Sequence, residues 1–492
     1  MDYMLLLPIL FPAVAALFTL VIKNKFSERG FRTVYVFIVL ALTLIFNLYA
    51  IFNYKELTLF YLTESLPVRF RVDELTYLFN ILVTVMWFLA GVFSFEYMKH
   101  EERNESFYLF YMLTESVLLA LGMAANFLTL YLFYEFMTFL SLPLALHTRT
   151  REAIYGGLKY LFYSVFGASL ALVGFFFMTQ YGDINFVAGG TLDMAKFAAN
   201  RDLLLTVFFF TILGFSVKAG MFPFHAWLTA AHPVAPAPAS AVLSGIITKA
   251  GVLAIIRVIF YQVGVQNLQG TWVQYGFMIL TLITVFMGSM MAYKEKVLKK
   301  RLAYSSVSQV SYVLFGISTM TTIGFVGALL QVVFHSIAKN LLFMSAGAII
   351  YREHKTMVDE LKAIGKNMPI TMWCFTIGGL ALVGIPPLTG FVSKWYLAMG
   401  SLEATGVSAF LNYLGPVVLL ASALLTAGYL VTISINAFIP GADFDYSTVK
   451  KTEPNLFMTI PLVALSVACV LCGTFATPLI NFFTHIATTI IK

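Results

Sequence analysis

Fourteen apolar runs follow one another along this chain, near 3–22, 32–53, 75–95, 107–124, 127–146, 158–178, 203–222, 236–260, 272–292, 302–320, 324–350, 371–399, 412–438 and 457–480. A run of about 17 residues or more is long enough, as a helix, to cross the hydrocarbon core of a bilayer. Inside that core every backbone amide must be bonded internally, which leaves helices as the only economical solution for such runs. The expected fold is therefore all-α and polytopic. Composition agrees: of 492 residues, 60% are hydrophobic and only 11% charged, against about a quarter charged in soluble domains. The stretches 54–73, 180–202 and 439–456 read as ordinary loops, so one membrane domain is expected. The last two long runs leave room for a hidden break. Met1 to Ile22 has no basic flank before its apolar stretch and reads as a retained first span, not a cleaved signal.

The net charge of +7 is accounted for by topology. Lys and Arg gather in alternate loops, twenty on one side against six on the other (Lys55, Arg69, Arg71, Lys196, Arg201 and Lys492). Cytoplasmic loops hold the excess, so the chain is expected in the cell (inner) membrane with both termini on the outer side. No basic patch is interleaved with exposed aromatics, and nucleic acid is not an expected partner. Cys374, Cys469 and Cys472 all lie in apolar runs, which supports neither a disulfide framework nor a metal cluster. No phosphate-cradling loop, nucleophile elbow or dinucleotide fingerprint is present. The chain is expected to hold no cofactor and to perform no bond chemistry itself.

Charges inside the spans are the informative exceptions. Five cations fall there: Lys218, Lys249, Arg257, Lys339 and Lys394. A charge at mid-membrane costs roughly 2.5 to 3.5 kcal/mol on insertion scales and marks a functional pathway by default. Arg257 lies near a helix end and is expected to snorkel as an interfacial anchor. Only two acids, Glu115 and Glu135, sit well inside spans, and each needs a proton or a cation from a neighbouring helix. Pro223, and Pro386 with Pro387, interrupt their spans beside Lys218 and Lys394. Freed carbonyls there require protein or water partners, so each break implies a local hydrated cavity. Recurrence of a break and a buried lysine five spans apart points to an internal repeat, inverted because the offset is odd.

His335 and Lys339 stand four residues apart and share a helix face, with Gln331 and Asn340 nearby. The pair fits a proton path or a packing hydrogen bond. Ser305, Ser306, Ser308, Gln309 and Ser311 open another span; interhelical bonding and a water wire are both open readings. His225 and His232 flank Trp227 without an acid or cysteine to complete a metal site. They are expected either to cap the broken helix or to conduct protons at a channel mouth.

The stretch FPFHAWLTAAHPVAPAPASAVLSGIITKAGVLAIIR resembles the signature of the proton-conducting antiporter-like subunits. That family is shared by respiratory complex I, the Mrp sodium/proton antiporters and the energy-converting membrane hydrogenases. AANFLTLYLFYEFMTF, EAIYGGLKYLFYS, KKRLAYSSVSQVSYVLFGI, HSIAKNLLFMSAGAIIY and GIPPLTGFVSKWYL match it too, in the family's order, over roughly residues 105 to 400. The resemblance implies fourteen helices: three N-terminal ones within 1–106, two inverted five-helix repeats at about 107–260 and 272–438, each with one broken helix, then a loop and last helix in 439–492. It also implies a central proton-transfer axis of Glu135, Lys218, Lys249, His335, Lys339 and Lys394. Lys394 resembles the lysine-bearing branch, which includes the Mrp D-type subunit, where other members have Glu. Glu115 matches no part of the family pattern. The expected partners are other membrane subunits of an Mrp-like or complex I-like assembly, a redox module where one exists, protons, and Na⁺ if the assembly exchanges it. Two other readings remain open: an electrostatic relay with ion flow elsewhere, and a stand-alone secondary transporter.

Overall fold

The computed structural model describes residues 3–441, 444, 445, 447 and 449–491; Lys492, counted above as an outer cation, and the chain start at Met1 and Asp2 lie outside the described residues. The helices follow the fourteen runs in order. They are α1 (Tyr3–Val21), α2 (Arg29–Asn53), α3 (Glu74–Tyr97), α4 (Asn104–Gly122), α5 (Phe127–Ala145), α6 (Arg151–Tyr181), the pair α7 (Arg201–Ala219) and α8 (Ala226–Val234), and α9 (Ala237–Val263). Then come α10 (Trp272–Lys294), α11 (Leu298–Ser318), α12 (Thr322–Glu353), the pair α13 (Pro369–Val383) and α14 (Thr389–Leu402), α15 (Ala409–Phe438), α16 (Leu456–Thr474) and α17 (Thr477–Ile490).

Among the described residues eleven helices are long and apolar enough to cross a membrane alone. Three further segments fall short for physical reasons. One is α4, which carries Glu105 and Glu115; another is α11, with its run of Ser and Gln; the third is split into α13 and α14, of 15 and 14 residues. All three lean on neighbours to cover polar groups or broken ends.

The interruptions have a common construction. Helix α7 ends at Gly220 with φ +79°, and α13 at Gly384 with φ +91°, left-handed C-caps that glycine adopts without steric cost. Pro223 and Pro386-Pro387 follow and prevent direct resumption. By contrast Pro143, Pro416 and Pro461 sit inside continuous helices. After the first break, residues 226–234 are helical again and form the second half of the broken seventh span.

Two expectations are corrected. The 54–73 loop is a hairpin, β1 (Glu56–Thr63) paired antiparallel with β2 (Leu66–Arg71); alternating ELTLFYLT suits a pleated strand. The 180–202 loop contains a short helix, Met194–Ala199. The hidden break left open for the last two long runs falls in the final one, at residues 475–476, giving α17 as a separate helix, whereas the 412–438 run stays whole.

The core is built around α9 and α12, whose most apolar windows are 100% and 94% buried, against 39% for α2, α6, α15 and α16. Small residues allow this. A Cβ on Gly251 in α9 would stand 2.6 Å from the Phe215 carbonyl of α7, and one on Gly245 would stand 2.1 Å from Asn340 Nδ2 of α12. Close approach through such residues is how helices pack without a hydrophobic driving force between them. It seats α9 between the helix of Lys218 and that of His335. Two π-helical stretches, Leu243–Ile247 and Arg257–Val263, interrupt α9 on either side of Lys249, a distortion often found at functional positions.

Candidate functional site

Lys218 occupies the last turn of α7 and is completely buried. Its Nζ donates to Thr138 Oγ1 of α5 at 2.9 Å, and to Tyr160 OH and Ser164 Oγ of α6 at 3.0 and 2.9 Å. The Tyr160 ring centroid lies 4.4 Å away, close enough for a cation–π contribution. Trp227, from the other side of the break, packs on Tyr160 and donates to the Val217 carbonyl at 2.8 Å. Three neutral hydroxyls and an aromatic lid thus replace water around the lysine.

Glu135 is on the adjacent turn of α5 but forms no ion pair with Lys218. It is half-buried, beside the exposed Phe136 and Phe139, and accepts from Tyr131 OH at 3.3 Å. Glu115 is fully buried in α4, and neither of its carboxyl oxygens has a hydrogen-bond partner.

In α9, Lys249 Nζ lies 2.6 Å from His335 Nδ1 of α12 and donates to the Ser244 carbonyl at 2.8 Å. An ammonium donating to Nδ1 requires the neutral imidazole with its proton on Nε2, a nitrogen buried without a protein partner. One turn on, Lys339 Nζ donates to the Leu302 carbonyl at 2.9 Å. Phe343 links it to His232: the lysine is 5.9 Å from that ring, and His232 stacks on it at 4.9 Å with both nitrogens unpartnered. His225 precedes α8 but makes no side-chain cap, so the capping role expected of it is not what the structure shows. Beyond the spans, Glu101 is held above the usual carboxylate range by burial, with the Lys299 charge pulling the other way.

Toward the second break, Ser393 Oγ donates to Gln331 Oε1 at 2.6 Å, and Gln331 Nε2 donates to Gln309 Oε1 at 2.9 Å. Next to Ser393, Lys394 Nζ donates to the Leu382 and Val383 carbonyls at 2.6 and 2.7 Å. These are among the last carbonyls of α13, unsatisfied because the helix ends there. Lys394 is half-buried and lines a cleft of about 360 Å³ between α14 and α15.

Among the described residues no carboxylate lies within 4 Å of Lys218, Lys249, Lys339 or Lys394; the fifth membrane cation differs. Arg257 is buried and bidentate to Asp73, at 2.5 and 2.9 Å. The snorkelling expectation is overturned because the carboxylate that ends β2's connection to α3 is brought to it, 184 residues away in sequence. A guanidinium locked to a carboxylate is a strut. A lysine solvated by neutral oxygens can lose its proton without leaving a bare anion behind.

With this geometry in view, residues 124–419 match the family described as NADH:quinone oxidoreductase/Mrp antiporter, transmembrane, and residues 62–108 match the complex I chain 5 N-terminus. The chain belongs to the NADH:quinone oxidoreductase/Mrp antiporter family. Within this family it is 27% identical to the D-type Na⁺/H⁺ antiporter subunit of Alkalihalophilus pseudofirmus, over 99% of this chain and 97% of that one. It is 29% identical to hydrogenase-4 component B of Escherichia coli over 86% of this chain, and spans 65% of that relative's length. The fold matches chains of two solved membrane complexes. A chain of the archaeal membrane-bound sulfane sulfur reductase superposes with TM-score 0.85 at 22% identity, covering 99% and 97% of the two chains; one of the Mrp complex from Dietzia sp. does so with 0.82 at 18%, covering 100% and 98%. The chain is a multi-pass membrane subunit of this superfamily.

Several site residues escaped the sequence reading. Tyr160 and Ser164 lie within the quoted EAIYGGLKYLFYS motif, four apart on one face, and that spacing was the available signal. Thr138 lies in AANFLTLYLFYEFMTF, three residues from Glu135 on its face, whereas Asp73 and Gln331's bridge to Ser393 had no such signal. Of the five Ser and Gln residues singled out in α11, Ser305, Ser306, Ser308 and Gln309 bond to other helices, through Tyr429, Ser244, Ser289 and Gln331; Ser311 Oγ has no partner.

Proposed function

We propose that the chain translocates protons through a lateral axis running from Lys218 by way of Lys249, His335 and Lys339 to Lys394, as one membrane subunit of a multisubunit assembly. The observation that carries this is the 2.6 Å contact between Lys249 and His335, which joins a helix of the first half to one of the second. Transfer from Lys249 to Nδ1 with release of the Nε2 proton is the ordinary shuttle chemistry of imidazole. The unpartnered Nε2, the Gln309 amide and Ser311 hydroxyl next along are the polar sites at which water would continue the relay.

In this reading the two halves, about 107–260 and 272–438, each supply one broken helix and one terminal lysine. Glu135 acts as the modulator. Brought to about 4 Å from Lys218 it would stabilise the ammonium by about 4 kcal/mol at an effective dielectric of about 20, roughly a thousandfold in protonation equilibrium. Withdrawn, it leaves only the hydroxyl cradle. Its half-exposed place on the outer face of α5 lets a charge on an adjoining subunit set that distance. The partners are other membrane subunits, as in the relatives that are subunits of antiporter or oxidoreductase complexes.

Proton uptake into vesicles carrying the assembled complex tests the proposal. Lys218→Ala and Lys394→Ala are each expected to abolish coupled uptake while the assembly stays intact; undiminished uptake in both overturns it.

A further inference from the structure

Away from the axis, a cleft of about 280 Å³ opens where α4 begins and α5 ends, lined by Arg103, Ser106, Phe110, Pro143, Leu146, His147 and Arg149. Its polar and apolar parts are segregated. Arg103 and Arg149, both exposed, form the rim at the helix ends, whereas Phe110, Pro143 and Leu146 form the floor. Phe110 lies seven residues into the span from Arg103, about 10 Å at helical rise. The cleft therefore runs from the interfacial level into the hydrocarbon zone.

Charge at the rim is uncompensated. Neither Arg103 nor Arg149 has a carboxylate within 4 Å among the described residues, and no acid lines the cleft; nearby Glu105 is turned to Arg32 at 3.4 Å. His147 is buried, and its Nε2 has no hydrogen-bond partner. The opening faces outward: Pro143 shares its helix face with the exposed Phe136 and Phe139.

We propose that this cleft binds the phosphate of an anionic phospholipid, with the two guanidiniums on the phosphodiester and the first acyl carbons on the Phe110, Pro143 and Leu146 floor. Two arginine forks suit a phosphate's oxygens, and basic pockets between membrane helices are a recurrent site for lipid headgroups. The absence of a lining carboxylate among the described residues leaves nothing to pair with a choline or ethanolamine, which favours an anionic headgroup over a zwitterionic one. The apolar floor and lipid-facing mouth favour a lipid over a free phosphate ion.

Native mass spectrometry of the full chain in detergent, titrated with phosphatidylglycerol, phosphatidylcholine or inorganic phosphate, tests this. Phosphatidylglycerol is expected to bind about ten-fold more tightly than phosphatidylcholine, and Arg103→Gln with Arg149→Gln to remove that preference. The control pair Arg151→Gln with Lys159→Gln, which loses the same charge outside the cleft, is expected to retain it. An equal loss in both pairs, no loss in the first, or displacement of the lipid by equimolar inorganic phosphate overturns the assignment.

Discussion

Lys218 and Lys394 stand at the two helix breaks, and each meets the carboxyl end of a half-helix, though by opposite routes. Lys218 belongs to the last turn of the half-helix it sits on; Lys394 reaches back across the break to the end of α13. A helix C-terminus carries about half a negative charge, so both breaks offer a lysine the same electrostatic feature. What completes the solvation differs. Around Lys218 it is three side-chain hydroxyls in a closed site; around Lys394 it is two main-chain carbonyls beside a lateral cleft. One site is tunable by side-chain chemistry and shielded, whereas the other is fixed by the backbone and open to a neighbour.

The largest test of that difference concerns the strut that fixes the first half. Arg257→Ala should destabilise the protein by about 3 kcal/mol, since it takes two charge-assisted hydrogen bonds from a partly buried Asp73 that keeps only Thr76 and the more distant Arg71, as read by unfolding in detergent. If the halves are separately built, it should also expose a cysteine at position 218 and leave one at 394 unchanged; equal exposure would merge the two sites. Next, Lys394→Cys should react with a membrane-permeant maleimide about a hundred-fold faster than Lys218→Cys, because a closed site reacts only through local opening. Equal rates would remove the distinction between shielded and open.

A smaller effect concerns the cradle. Thr138→Val or Ser164→Ala should each slow proton uptake about ten-fold, the kinetic equivalent of one hydrogen bond to a charged group. Thr389→Val, near the second break, should leave the rate unchanged. The smallest is Glu135→Gln, whose effect on unfolding should stay within about 0.5 kcal/mol, as for a side chain outside any buried network, while coupled uptake falls. A loss of several kcal/mol would show Glu135 to be structural.

Much of the fold was legible because membrane helices announce themselves locally: a long apolar run has one viable backbone solution. The same locality explains the errors. Proline alone did not mark the breaks, since Pro143, Pro416 and Pro461 are absorbed into helices; the glycine in a left-handed cap before the proline did. The hairpin at 56–71 was missed because hydropathy does not distinguish a short strand from a loop, and the break before α17 was allowed for but not placed, because hydropathy does not separate one long run from two short ones. For the site, the costly lysines named themselves, but their partners did not. Arg257 near a helix end has the same local sequence whether it snorkels or meets an aspartate from another element.

By itself the sequence determined the order of the apolar segments and which cations fall within them, since both follow from transfer free energy summed over adjacent residues. Only the tertiary structure decided which oxygen meets which nitrogen. Thr138 reaches Lys218 across 80 residues and His335 reaches Lys249 across 86, and such contacts depend on how small residues let α9 settle between its neighbours, a packing outcome that no local window contains.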